Sequence, residues 1–258
     1  MWRPREYFFF NRRFLRFDLN VNIKNVNIIY YIRKNLGFGN IRFLKFLNTV
    51  IVEFSVQDNI YDLLSIVNIF NGNLRCTIKE QHFKLWYNKL EVKFKKLNLL
   101  NLLPKYENNI KNINLHNSWL SGYIDSRALF YARWHKSKKL KEGKIIYLSC
   151  IFWHLNDDLL LKIKEVIHST SKIEYKIKGN LPLYKIVIES FNEKNKIIIY
   201  LNNYSLKTIK KKKYKCWKNL LKQEEKYLKT GKQDIEEVQK LLIKFIHLIK
   251  KDEELKKL

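Results

Sequence analysis

Trp119-Leu-Ser-Gly-Tyr-Ile-Asp-Ser-Arg-Ala-Leu-Phe130 is the stretch that decides how the rest of the chain is read. It reads as a helix, followed in order by Tyr131-Ala-Arg133, a basic hairpin turning near Gly143, and a segment from Lys144 to Phe152. That segment alternates apolar and polar residues, as expected of a strand with one face on a core. Upstream, Lys105 to Asn117 is rich in Asn and Lys, follows Pro104 and holds no sustained period. Residues 104–117 are therefore expected to form a linker.

The same order of elements occurs twice, at a shift of about 131 residues. Asn27-Ile-Ile-Tyr-Tyr-Ile-Arg33 falls on Asp158-Leu-Leu-Leu-Lys-Ile-Lys164, two amphipathic helix starts. Thr49-Val-Ile-Val-Glu-Phe54 resembles Lys185-Ile-Val-Ile-Glu-Ser190, an alternating strand in both places, and Asn73-Leu-Arg75 pairs with Ser205-Leu-Lys207. Phe83 to Leu90 pairs with Tyr214 to Leu221, which brings Trp86 and Trp217 into register. Phe14 to Ile23 alternates like Lys144 to Phe152, while Asn25 to Leu36 and Asn156 to Ile167 are expected helices, the first stopped by Gly37 and Gly39. From Asp234 onward Ile235, Val238, Leu241, Leu242, Phe245, Leu248 and Ile249 recur at helical spacing. The expected divisions are a first half over 1–103, the linker over 104–117, a second half over 118–233 and a C-terminal helix over 234–258.

Composition narrows the partner. The 258 residues are 46% hydrophobic, enough for buried cores, and carry 51 Lys and Arg against 24 Asp and Glu, a net charge of +27. Such a charge repels itself unless a polyanion neutralises it, so nucleic acid is the first partner to consider. No run of about 18 uncharged apolar residues argues for a membrane span, and the basic, aromatic N-terminus lacks the pattern of a secretory signal. Cys76, Cys150 and Cys216 are odd in number, widely spaced and form no C-x-x-C pair, so they read as core residues and not zinc ligands. A phosphate-binding G-x-x-x-x-G-K-[ST] loop and a nucleophile elbow are both absent from the sequence. Asp157 and Asp158 open a helix, where acids are stabilising. The weight of Lys, Asn, Ile, Phe and Tyr matches A/T-rich codons, which suggests an organelle's genome.

The stretch from Trp119 to Phe130 resembles the signature helix of the LAGLIDADG homing endonucleases, and the likeness to their double-motif form covers nearly the whole chain. The resemblance implies an α+β fold of two pseudo-symmetric αββαββα halves whose antiparallel sheets form a nucleic-acid-binding saddle. It implies that Ser121 and Gly122 let two signature helices pack closely. It also implies a metal-binding carboxylate at the eighth position counted from Leu120, and that position is Arg127 here. A guanidinium neither deprotonates nor ligates Mg²⁺, so no metal or other cofactor is expected unless the chain is an active endonuclease, which would need Mg²⁺. Asp125 is retained at a position that is chiefly structural in the family, and Ala128 replaces a glycine. With Met1 close to the first strands, the first half is expected to lack a complete signature helix. The Gln-Lys pair that orients water in the family aligns with Ile23-Lys24 and His154-Leu155, and His154 is expected to be a polar strand end.

The binding parts survive in this reading. Arg133, Lys136, Lys138, Lys139, Lys141 and Lys144 would follow a phosphate backbone from the second half's first hairpin, with Lys176 and Lys178 on its partner beside Gly179. Arg12, Arg13 and Arg16 take the equivalent place in the first half, with Arg42 and Lys45 on the neighbouring strand. Lys207 and Lys210 lie near the family's basic active-site lysine and would contact phosphate. The run Lys210 to Lys213 is less specific, and Tyr131 and Trp134 offer stacking on unpaired bases or, more simply, burial against the sheet. The expectation is a non-cleaving nucleic-acid-binding protein derived from this family, RNA favoured over DNA, acting as an intron maturase or an organellar ribosomal component. The alternative is an active site-specific DNA endonuclease of an organellar intron. The expected location is the mitochondrial matrix, with a plastid as the other organelle.

Overall fold

The computed structural model describes residues 5–10, 15–46, 49–136, 144–178 and 181–254, with side chains described for 15–46, 49–136, 145–177 and 182–249. The chain divides into two compact units, Met1–Asn112 and Ile113–Leu258. The first runs β1 (Arg5–Phe10), β2 (Leu15–Asn22), α1 (Val26–Leu36), β3 (Asn40–Phe46), β4 (Thr49–Gln57), α2 (Ile60–Phe70) and α3 (Thr77–Lys96). The second runs α4 (Trp119–Arg127), β5 (Ala128–Lys136), β6 (Lys144–His154), α5 (Asp157–Ile167), β7 (Ile173–Lys178), β8 (Leu181–Ile188), α6 (Phe191–Asn203), α7 (Lys210–Thr230) and α8 (Ile235–Glu254).

Each unit holds a four-stranded antiparallel sheet, ordered β1-β2-β4-β3 in one and β5-β6-β8-β7 in the other. The duplication in sequence is therefore a duplication of topology, and α4 and α8 have no counterpart among the described residues of the first unit. Local chemistry places the elements. Asn59 accepts from the N–H groups of Tyr61 (3.0 Å) and Asp62 (3.2 Å) to start α2, and Asn156 accepts from Asp158 N (2.7 Å) to start α5, where Asp157 and Asp158 face the helix dipole. α1 stops at Gly37, φ 80°, and at Gly39, φ 91°, a Cβ would stand 2.3 Å from the Phe54 ring. Glycine is required there twice over, by backbone and by space.

One face of each sheet packs on its helices. In the first unit Leu15, Phe17 and Val21 of β2 and Val52, Phe54 and Val56 of β4 meet Leu63 and Ile66 of α2 and Phe83, Trp86 and Leu90 of α3. In the second, Phe130, Leu148, Cys150, Phe152, Ile186 and Ile188 are buried on the matching strand faces. Trp86 and Trp217, paired by the repeat, are both fully buried, and the Trp217 indole N–H donates to Tyr131 O at 3.1 Å. Truncation of such a tryptophan costs about 3–5 kcal/mol. All three cysteines are buried thiols, and burial pushes Cys150 up to about 12. No helix among the described residues is long and apolar enough to cross a membrane.

The stretch expected to be a linker is held to the first unit over much of its length. The Asn71 amide donates to Lys105 O and accepts from Glu107 N, both at 2.9 Å, so it acts as a strand partner for that backbone. Tyr87 OH donates to Pro104 O (2.5 Å), Lys111 N donates to Leu74 O (3.0 Å), and the Tyr106 and Tyr87 rings stand 5.3 Å apart. At the other end, α8 buries Val238, Leu242 and Phe245 against α7 and β5, as its helical spacing leads one to expect.

Candidate nucleic-acid interface

Strand alternation sorts the expected cations onto two faces. On β2 the core takes Leu15, Phe17 and Val21, so Arg16, Asp18 and Asn20 point away from the helices. Register then puts Glu53 opposite Asn20 and Arg42, and Ser55 opposite Asp18 and Asn40, on that same face. Lys45 pairs with Val50 and has the parity of Ile41, not of Arg42, which puts it on the other face. In the second sheet Arg133 shares the helix-opposed face with Tyr131, His135, Tyr147 and Trp153, whereas Lys136 and half-buried Trp134 have the opposite parity. Lys176 lies on the helix-opposed face with Glu174 and Lys185.

The helix-opposed face of the first sheet is polar but internally neutralised. Arg16 donates from Nε to Asp18 Oδ1 (2.5 Å) and from Nη2 to Glu53 Oε2 (2.7 Å). Asp18 is 1% exposed and Glu53 5%, and burial pushes both carboxyls above their ordinary values despite the guanidiniums of Arg16 and Arg42 nearby. The hydrogen bond to Asp18 raises Arg16 further, so it remains a cation. Next to this cluster, Asn20 Oδ1 and Ser55 Oγ are buried without a hydrogen-bond partner.

The corresponding face of the second sheet is aromatic. Tyr131 and Tyr147 meet edge to face at 6.1 Å, and the Arg133 guanidinium stands 5.2 Å from the Tyr147 ring and 6.0 Å from Tyr131. Tyr147 OH donates to Glu189. Lys185 lies over the Trp153 ring at 5.8 Å and pairs with Glu174 at 2.7 Å.

At the end of α4, side chains are exchanged with the start of α7 and the turn before it. Asp125 accepts from Lys207 N (2.6 Å), Thr208 N (3.4 Å) and Thr208 Oγ1 (2.5 Å), and Thr208 Oγ1 accepts from Lys210 N (3.2 Å). One N–H of α7, that of Lys210, is thus tied through Thr208 to a carboxylate, which also offsets the run of cations Lys210 to Lys213 at a positive helix end. In return the Lys210 ammonium donates to Ile124 O (2.7 Å) and Ala128 O (2.6 Å), the carbonyl end of α4. Ser121 is buried and its N–H donates to Tyr200 OH (2.8 Å), while Gly122 is exposed, with open space where a Cβ would stand. Arg127 ends α4.

This donor set does not fit a divalent cation. Asp125 spends both oxygens on Lys207 and Thr208 ahead of α7, Arg127 is a guanidinium, and His154, the last residue of β6, holds its Nδ1 3.1 Å from the Asn156 N–H. Among the described residues no three His, Cys, Asp or Glu side chains cluster as metal ligands would. In the first unit the matching helix start is bare: Cys76 precedes α3 without a side-chain cap, and Arg75 Nε and Glu80 Oε1 are buried without a partner.

Of the expected contacts, the structure brings Arg16 and Arg42 together on one face, Arg133 and Lys176 on another, and Lys207 and Lys210 at the α4–α7 junction. Arg12, Arg13, Lys138, Lys139 and Lys141 lie outside the described residues, as do the side chains of Lys144 and Lys178 at their strand ends. Sequence reasoning missed Asp18 and Glu53. The i, i+2 spacing of Arg16 and Asp18 on an alternating strand was the available signal.

The LAGLIDADG endonuclease family model matches residues 10–90 and 120–221, more than half of the chain and part of each unit. Among curated proteins, "Probable intron-encoded endonuclease 4" of Neurospora crassa is 26% identical over 81% of this chain and 35% of its own length. A cox1 intron-2 protein of Schizosaccharomyces pombe is 26% identical over 79% of this chain and 59% of its own. This chain thus spans roughly a third to three fifths of these relatives. Among solved structures, I-SmaMI bound to uncleaved DNA with calcium superposes with a TM-score of 0.67 at 17% identity, covering 93% of both chains. The LAGLIDADG meganuclease I-CpaMI bound to uncleaved DNA gives 0.66 at 14% identity, again over 93% of both. The twofold repeat of sheet and helices and the match in each half lead to one conclusion: the chain belongs to the LAGLIDADG endonuclease family.

Proposed function

We propose that this chain binds duplex DNA through the helix-opposed faces of its two sheets and does not cut it. The observation that carries the reading is the fate of Asp125, whose carboxylate is spent on the Lys207–Thr208 turn ahead of α7 while Arg127 occupies the neighbouring acid position. Cleavage in this fold needs carboxylates free to hold a metal between scissile phosphate and water. Binding needs only charge and shape, and a net charge of +27 supplies the first. The DNA-bound relatives of the same fold support duplex DNA as the ligand.

The test is a binding titration of the purified chain on the duplex flanking its own gene, followed by Mg²⁺ addition. Retarded but intact duplex is the expected result, and a double-strand cut would overturn the reading in favour of an active endonuclease. A second reading, binding of intron or ribosomal RNA, is favoured by the half-buried rings of Tyr131, Tyr147 and Trp153 beside exposed Arg133, since aromatic faces and guanidinium planes stack on unpaired bases. Recovery of one intron or ribosomal RNA with the chain after a high-salt wash would select it. The cox1-intron origin in the relatives' names supports a mitochondrial gene and product.

A further inference from the structure

We infer that Arg16 reads a guanine base edge, aimed by Asp18 and Glu53, and is not a phosphate contact. The inference rests on the duplex-binding reading and names a specificity determinant within it. A phosphate contact is best made by a mobile cation whose charge is unspent. Arg16 is the opposite: its Nε edge is fixed by two carboxylates at 2.5 and 2.7 Å, and both are at least nine-tenths buried. Arg16, Arg42, Asp18 and Glu53 together bring no net charge to the face, so their electrostatic attraction for a polyanion is small.

What the cluster does supply is geometry. Of the five N–H groups of a guanidinium, two are engaged, and three have no partner among the described residues. The engaged edge faces the carboxylates, which leaves the opposite edge as a fork. Guanine presents O6 and N7 as adjacent acceptors in the major groove, and a fixed arginine fork meets that pair in two parallel hydrogen bonds. The Arg16 side chain is 19% exposed against 2% and 7% for its partners, so it alone of the three is placed to reach a base. Asp18 and Glu53 are positioning residues.

Asn20 Oδ1 and Ser55 Oγ, on the same strand face, are enclosed and unpartnered, so no base reaches them in this arrangement and the fork of Arg16 is the recognising group. The A-form major groove is too narrow for such a side chain, so the cluster also favours B-form DNA over duplex RNA.

The experiment selects the whole chain against a library of randomised DNA duplexes and sequences what it retains, with wild type, Arg16→Ala, Arg16→Lys, Asp18→Asn and Glu53→Gln in parallel. Thermal melts confirm that each variant is folded. Wild type should show at least one position of strong guanine preference. Arg16→Ala should flatten that position alone, by about 5- to 150-fold, the range of one bidentate pair. Arg16→Lys, a point charge without the fork, should fail to restore it, and the two amide variants should blur it without changing the rest of the profile. The salt dependence of affinity should keep its slope in all of them. A uniform loss across sequences with a slope smaller by about one would make Arg16 a phosphate contact and overturn the inference. So would an unchanged profile, which would leave only a structural ion pair. Should wild type enrich no duplex at all, the duplex-binding reading falls first and takes the inference with it.

Discussion

Replacing Asp125 by alanine should weaken the second unit at one defined place, the turn from Lys207 that leads into α7. The carboxylate accepts two short hydrogen bonds, from Lys207 N at 2.6 Å and Thr208 Oγ1 at 2.5 Å, and a longer one from Thr208 N at 3.4 Å. Hydrogen bonds to charged groups contribute about 1.5–3 kcal/mol each when buried. Loss of a helix cap costs about 0.5–2 kcal/mol. Water can reach this junction in part, since Lys207 is exposed, so the cap scale governs and a loss of about 2 kcal/mol is expected for Asp125→Ala. Asp125→Asn keeps an acceptor oxygen and should lose less than half of that. Lys210→Met removes the reciprocal bonds to Ile124 O and Ala128 O, and because both changes open the same junction, the double variant should be non-additive by about 0.5 kcal/mol or more. Two compact units need not unfold in one step, so the sharper readout is amide hydrogen exchange. The amides of Lys207, Thr208 and Lys210 should exchange about 30-fold faster in Asp125→Ala, the equivalent of 2 kcal/mol. Unchanged exchange there would refute the capping role. Millimolar Mg²⁺ that stabilised wild type but not Asp125→Ala would refute it differently, by making the carboxylate a metal ligand.

The buried pair Lys194–Glu224, 2.7 Å apart with the Lys side chain 1% exposed, should cost about 3–5 kcal/mol when broken by Lys194→Met, and most of that should return in Lys194→Met/Glu224→Leu, as denaturant titration can show. Burial raises Asp18 and Glu53, so the folded state holds protons more tightly there than the unfolded chain does. Their contribution is fully present below the ordinary carboxyl range and is lost as pH rises through the raised values, so wild type should lose stability relative to Asp18→Asn on that climb, measured by melts in a pH series. Gly39→Ala should cost about 2–4 kcal/mol, because it adds a clash with the Phe54 ring to a left-handed backbone, whereas Gly37→Ala, with the same hand but open space, should cost about 1 kcal/mol in the same melts.

Much of this fold is legible because its signals are local. The alternation of Leu15 to Asn22 and of Lys144 to Phe152, the caps Asn59 and Asn156, and the glycine stop at Gly37 each act within a few residues. The repeat supplies the rest, since aligning Trp86 with Trp217 aligns two whole units. What escapes a linear reading is whatever depends on distant partners. Nothing near Asn71 in sequence announces that its amide will hold residues 34 and 36 positions away, so residues 104–111 look like free linker. The cations suffer likewise: counted along the chain Arg16 is one more positive charge, but the sheet brings Glu53 across to neutralise it. Lys45 and Lys136 are a different case, because an odd separation from Arg42 and Arg133 already puts them on the other face, and strand parity alone sorts them.

The exchange of side chains between α4 and the start of α7 bears on how such a protein ages. Asp125 and Lys210 sit where catalytic machinery would be sought, yet Lys210 closes the carbonyl end of α4 and Asp125 holds the turn that leads into α7. Selection for a folded chain therefore holds them in place whether or not any phosphodiester bond is ever broken. Arg127, which ends the same helix, has no such bond among the described residues and is freer to change. In a lineage losing its nuclease, substitutions should accumulate at position 127 long before they reach 125 or 210, and an intact acid at 125 would date nothing. The junction behaves like a fossil cast: it keeps its outline by structural necessity, whether or not the reaction is what is selected.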